Sequence, residues 1–313
     1  FSSFYIPGEK QTWKQDGLIL YFRTFVCLTA FNMKAFVVIL LFFLNLILNL
    51  GCGKIKYYPD VAIVFDSTRI LAHRAGGGGD SPYQENCLEA ARYGFSSVDG
   101  IECDIQISKD RTIWLSHSSE LPECTSIPAG CFPETTDGQI VQLDSCMNDE
   151  AFSRLEEILA YMAAHHPQKH ISLDVKAWTP CSVNSLEVTG VMNVIADKIQ
   201  SLADKYKLHR QILVESETGT FLQHLSQYKN HPDCYLSANG DFERALQLTL
   251  KGGFQGISFK YQFKEDISEG NVALLHRKGL RIQLWTVDEV DAIKEALSIK
   301  PDYIQTDNLA YFK

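Results

Sequence analysis

From Arg69 onward the chain alternates short apolar runs with amphipathic stretches, and this alternation limits its folds more than any other feature. Apolar or period-2 runs predict strands at Ile70–His73, Val98–Ile107, Thr112–His117, His170–Lys176, Gln211–Glu215, Cys234–Ser237, Gly256–Phe259, Arg281–Val287 and Asp302–Thr306. Helical spacing predicts helices at Glu85–Tyr93, Ser153–His165, Ser185–Lys205, Gly219–Tyr228, Phe242–Lys251, Asn271–Arg277 and Val290–Ser298. Strands separated by helices pair in parallel, and Arg69–Lys313 is close to the ~250 residues of a typical (β/α)8 barrel. The strand list exceeds the eight of such a barrel by one. The second and third strands are joined only by Ser108-Lys109-Asp110-Arg111, too short for a parallel crossover. They are expected to form a hairpin turning between Asp110 and Arg111, which would set His117 opposite Asp104. The expected class is therefore α/β: a (β/α)8 TIM barrel with a β-hairpin insertion after strand 2. An irregular loop insertion follows at Glu120–Asn148, and a loop of that length is usually functional.

In such barrels chemistry sits where strands end and βα loops begin. The polar residues at those ends form one set. His73 and Arg74 close the first strand and run into Gly76–Gly79. Glu102 and Asp104 lie two apart on the second, hence on one face. His117 ends the hairpin, Asp174 and Lys176 end the next strand, Trp285 closes a later one, and Thr306-Asp307 close the last. Three carboxylates converging on one point repel unless a cation intervenes, and hard oxygen ligands suit Ca²⁺ or Mg²⁺. Imidazoles titrate near neutrality and suit general acid and base roles. Arg74 and Lys176 offer donors to a phosphate oxygen. Together these groups suit phosphoryl-ester chemistry better than acyl or hydride transfer. Each element alone has a plainer reading: an E-x-D pair is most often a solvated strand face, and a glycine run a simple turn. The other histidines (165, 166, 170, 209, 224, 231 and 276) lack strand-end placement and are read as structural.

The formal net charge is -9 with no dense Lys/Arg run, which argues against a nucleic-acid partner. Residues 1–52 differ from the rest. Ala35–Leu50 is uncharged, follows Met33-Lys34, and falls short of the ~20 residues of a spanning helix. Met33 is read as the natural start, with 1–32 upstream sequence or a further anchor. Leu48–Cys52 has the form of a lipoprotein cleavage site, though Asn49 fits it poorly. Lipidation at Cys52, plain secretion and an uncleaved membrane anchor all stay open, and each gives an exported protein: periplasmic, secreted or membrane-anchored. The catalytic domain is expected over 53–313. Of nine cysteines, Cys124, Cys131 and Cys146 crowd one loop, as disulfides in an export compartment would. Cys87 and Cys103 lie in apolar contexts and are read as buried thiols.

The ordered segments LAHRAG, ENCLEAARYGFSSVDGIECDIQISKDRTIWLSHS, ISLDVKAW, GLRIQLWTVD and PDYIQTDN resemble the glycerophosphodiester phosphodiesterase family over Leu71–Asp307. The resemblance implies a barrel with a hairpin insertion and a divalent cation. It implies that His73 and His117 match the catalytic histidines, and that Glu102, Asp104 and Asp174 match the metal carboxylates. Arg74 and Lys176 then match the phosphate-contacting cations, Trp285 an aromatic beside the glycerol, and Glu85 the acid of an E-N-T motif. Three positions depart from the pattern: Ala75 replaces a glycine, Ser118 an aspartate and Asp174 a glutamate. The last change also occurs in the related sphingomyelinase-D-like phospholipases. The leading expectation is metal-dependent hydrolysis of a small-molecule glycerophosphodiester to an alcohol and sn-glycerol 3-phosphate. The alternatives are a phospholipase-D-like enzyme acting on lysophospholipids or sphingolipids at a membrane, and a non-catalytic surface binding protein.

Overall fold

The computed structural model describes residues 68–121, 130–143, 150–176 and 185–312. Its strands are β1 Arg69–Ala72, β2 Gly100–Ile107, β3 Ile113–Leu115, β4 His170–Val175, β5 Ile212–Ser216, β6 Asp233–Ala238, β7 Gly256–Lys260, β8 Arg281–Trp285 and β9 Tyr303–Thr306. Neighbours run in the order β1-β9-β8-β7-β6-β5-β4-β2, and a parallel β1–β2 pairing closes the ring. This is the expected eight-stranded parallel barrel. β3 lies outside the ring, antiparallel to β2.

The hairpin register differs from expectation by one residue. Ile105 faces Leu115 and Ile107 faces Ile113, so Asp104 lies level with Ser116, whose N–H donates to the Asp104 carbonyl at 3.1 Å. The turn holds three residues rather than two, with Arg111 at φ 63° after the Ser108 carbonyl accepts from the Arg111 N–H. A left-handed residue at the end of a three-residue loop is a favoured hairpin geometry that sequence spacing alone does not distinguish from a two-residue turn. β3 stops at Leu115, so strand alternation no longer governs His117, which sits at a bend and is exposed.

Besides a single turn at Asp137–Ile140 in the insertion, the α-helices are α1 Leu88–Ser97, α2 Leu155–His165, α3 Ser185–Tyr206, α4 Gly219–Leu225, α5 Phe242–Gly252, α6 Glu269–Arg277 and α7 Val290–Ser298. They bury apolar faces such as Ile158, Leu159 and Met162 of α2 against the outward sides of strands such as Ile171, Leu173 and Ile257. α1 starts three residues later than its pattern suggests, because Cys87 is extended and caps it, its Sγ accepting from the Ala90 N–H. That leaves Glu85 and Asn86 in the loop above the barrel.

The described part of the loop insertion has its own small core of Phe132, Ile140 and Leu143 against Trp114 and Leu121. Asp137 fastens it to the hairpin by accepting from Ser108 Oγ, Thr112 Oγ1 and Trp114 Nε1. Cys131 is disulfide-bonded, while Cys87, Cys103 and Cys234 are buried free thiols. Met33, the apolar run, Cys52, Cys124 and Cys146 lie outside the described residues. Among the described residues no helix is long and apolar enough to cross a membrane.

Candidate active site

β1 ends at Ala72, and the chain turns sharply with Arg74 at φ 50° and Ala75 at φ 65°. Left-handed backbone costs residues with a Cβ on the order of 1–2 kcal/mol each, which is why a glycine is the cheaper residue where Ala75 stands. Local bonds hold the turn: the Arg74 N–H donates to Glu102 Oε2 at 2.9 Å, and the Arg74 carbonyl accepts from the Asn86 N–H at 3.0 Å. His73 is thereby set between the last strand and the second. Its Nδ1 bonds Asp307 Oδ1 at 2.7 Å and its Nε2 lies 3.7 Å from Glu102 Oε2. The glycines after it make room rather than cradle an anion. A Cβ on Gly78 would lie 1.8 Å from Asp307 Oδ1, and one on Gly77 would lie 2.3 Å from the Glu85 Cα.

Glu102 and Asp104 of β2 point into the barrel with Asp174 of β4, and one oxygen from each of the three lies within 4.8 Å of the others. All the donors are hard oxygens, so the cluster fits a divalent cation. The electrostatics fit as well. Burial and the Asp104 charge push Glu102 well above the usual carboxylate range. Burial lifts Asp174 to about 7 against the pull of Lys176, with the charges of Glu215 and Asp104 adding to the rise. Asp104 is held low despite its burial by Lys176, His117 and His73, so both imidazoles act on one carboxylate. Lys176 bonds Asp104 Oδ1 directly and lies 3.3 Å from Asp174 Oδ2. Arg74 donates from Nη1 to Glu85 Oε2 at 2.6 Å, with its Nε 3.9 Å from Asp104 Oδ2. Glu85 thus orients the arginine. His117 lines a cavity with Glu85 and Asn86, and its pKa is lowered, by the partial desolvation of its ring there first and then by Lys176 and Arg74 against the pull of Asp104. Trp285 carries Lys260 over its ring at 5.4 Å.

Over residues 73–310 the sequence matches the model of the glycerophosphoryl diester phosphodiesterase family. The chain belongs to this family. It is accordingly a phosphoric diester hydrolase. Among solved structures it is similar in fold to a putative glycerophosphoryl diester phosphodiesterase of Silicibacter pomeroyi, with TM-score 0.68 and 19% identity, covering 79% of this chain and 92% of that one. A Galdieria sulphuraria putative glycerophosphodiester phosphodiesterase gives TM-score 0.65 and 16% identity over 80% and 98%. An Oleispira antarctica phosphodiesterase in complex with the product sn-glycerol-3-phosphate gives TM-score 0.64 and 15% identity over 79% and 94%. No curated protein matches at a significant level.

Strand-end spacing and the resemblance together named nine residues for the site of this phosphodiesterase, gave Asp307 no role, and missed Asn86 and Glu215. Asn86, at φ 59°, donates from Nδ2 to Asp104 Oδ2 at 2.9 Å and accepts the Asp104 N–H at 3.0 Å. Its signal was its place beside Glu85. Asp307 fixes the His73 ring and is itself held by Asp288, which accepts its N–H at 2.8 Å. Glu215 is buried in the barrel, level with Asp174. It accepts from Ser172, Gln283 and Gln305 at 2.7–2.9 Å and from Ser258. A carboxylate closing an apolar strand was its visible sign. The remaining histidines stand apart: His209, His224 and His276 pair with Asp204, Asp197 and Asp302.

Glu215→Leu should lower stability by about 3 kcal/mol or more, because it takes the acceptor from the buried donors of Ser172, Ser258 and Gln305 and one acceptor from Gln283. Glu215→Gln keeps a carbonyl for three of them and should melt much nearer the parent. Urea unfolding of the two variants checks this, and equal midpoints would refute it.

Proposed function

We propose that the chain hydrolyses glycerophosphodiesters to an alcohol and sn-glycerol 3-phosphate, with Ca²⁺ or Mg²⁺ on Glu102, Asp104 and Asp174. The observation that carries this reading is the convergence of His73, His117 and Lys176 on Asp104, the central carboxylate of a buried triad. A divalent cation held by Glu102, Asp104 and Asp174 would supply Lewis-acid polarisation of the phosphodiester. Arg74 and Lys176, pre-oriented by Glu85 and by Asp104, donate to the non-bridging oxygens. One histidine takes a proton from the attacking hydroxyl and the other protonates the departing alkoxide. The bond from Asp307 to His73 Nδ1 leaves Nε2 as the nitrogen that handles the substrate proton. Trp285 offers an apolar face to the glycerol carbons. The attacking hydroxyl belongs either to water or to the substrate's own glycerol, the latter giving a cyclic phosphate. The product complex of the Oleispira antarctica relative supports this substrate class. The disulfide at Cys131, with the apolar run at 35–50, supports export, because such bonds persist in oxidising compartments.

The test is a hydrolysis panel under varied divalent cations, pairing glycerophosphocholine with its acylated counterpart lysophosphatidylcholine. Turnover of the deacylated diester, with release of sn-glycerol 3-phosphate, is expected. Turnover of the acylated lipid alone would favour the phospholipase-D-like reading. Cation binding without turnover of either would favour a binding protein.

A further inference from the structure

The catalytic groups occupy the C-terminal ends of the strands. At the opposite end the structure has a second cavity, of about 830 Å³. It is built by the segments that lead into β5 and β6 and by the first residue of β8. Lys207, Arg210, Lys229 and Arg281 line it, against one carboxylate, Asp233. In a chain of net charge -9 this is a local reversal of sign.

Asp233 is already committed, its Oδ2 accepting from Arg281 Nη2 at 2.5 Å. The Arg281 guanidinium also lies 5.8 Å from the centre of the Tyr235 ring, so it is held on two sides. Among the described residues Lys207, Arg210 and Lys229 make no ion pair. Lys207 is also strained. It follows α3 at φ 59°, a position that glycine or asparagine fills at lower cost. A helix C-terminus attracts one cation through its dipole, but that effect fades within the last turn. It accounts for Lys207 and not for Arg210, Lys229 or Arg281, which lie farther along the chain. The cavity falls within the ~300–1,000 Å³ range of small-molecule sites, and all four cations line it.

We propose that this cavity binds a small anion bearing two or more phosphate groups, at a site separate from the catalytic one. Such a group could be supplied as a soluble phosphate ester or as a phosphorylated lipid headgroup, and the chemistry of recognition is the same: guanidinium and ammonium donors to phosphate oxygens.

The experiment titrates the full chain, loaded with Mg²⁺, with inositol 1,4,5-trisphosphate by calorimetry. Hydrogen exchange in the same samples locates the contact. A parallel arm uses phosphatidylcholine vesicles with and without phosphatidylinositol 4,5-bisphosphate. The expected result is binding with new protection at residues 207–211 and 229–233. The double variant Arg210→Glu, Lys229→Glu should weaken it about tenfold or more, a loss of ~1.4 kcal/mol, while phosphodiester hydrolysis stays at the parental rate. Both positions are exposed, so the variant is expected to fold. Stronger capture by the bisphosphate vesicles than by the soluble probe assigns the lipid source, and the reverse assigns the soluble one. No binding, protection confined to the catalytic mouth, or equal binding by the double variant would overturn the proposal.

Discussion

Alanine at His73 or at His117 should each lower kcat/KM for glycerophosphocholine by at least about 10²-fold, the contribution of one positioned proton-transfer group. The two variants test different geometry. His117 is exposed at a bend beyond β3, so its removal should leave the melting temperature unchanged. His73 is held by Asp307 and faces Glu102, so its loss also leaves Asp307 without its imidazole partner. The double variant should fall well short of the product of the two losses, because the residues act in one proton-transfer cycle. Steady-state kinetics with circular dichroism as the folding control decides the matter. A folded variant at either position with parental activity removes that histidine from the mechanism.

Stripping divalent cations with EDTA should cost more, about 10³-fold or greater, since it removes several kcal/mol of charge stabilisation from the transition state. Asp104→Asn should cost as much and resist rescue, because Asp104 is the carboxylate on which Lys176 and both histidines act. The pH dependence of metal affinity gives an independent readout. In the metal-free protein Asp174 titrates at about 7, raised by burial and by its acidic neighbours. Below that pH a cation must displace its proton. Affinity should therefore rise with pH through 7, the raised Glu102 adding to the slope, with protons released on binding at pH 6. Calorimetry in buffers of different ionisation enthalpy measures that release. Full activity in EDTA would remove the cation from the mechanism, and pH-independent affinity without proton release would remove Asp174 from its ligands.

Much of this enzyme was legible along the chain because its decisive features are periodic or repeat at strand ends. Apolar alternation located every strand of the described barrel, and the position of Glu102, Asp104 and Asp174 on their strands dictated a common inward face. Periodicity failed at the hairpin. A turn of two residues and one of three differ only in whether Arg111 enters the left-handed region, and that choice moved the residue facing Asp104 from His117 to Ser116.

What the sequence determined by itself was the order of strands and helices, hence the barrel, and which side chains could point into its mouth. What only the tertiary structure decided was which of those groups hold one another: Asp307 on His73 from the far end of the barrel sequence, Asn86 on Asp104, and Glu215 level with Asp174. The physical reason is closure of the ring. Inward direction follows from the two-residue repeat of a strand, but contact between residues far apart in sequence exists only once β1 pairs with both β2 and β9.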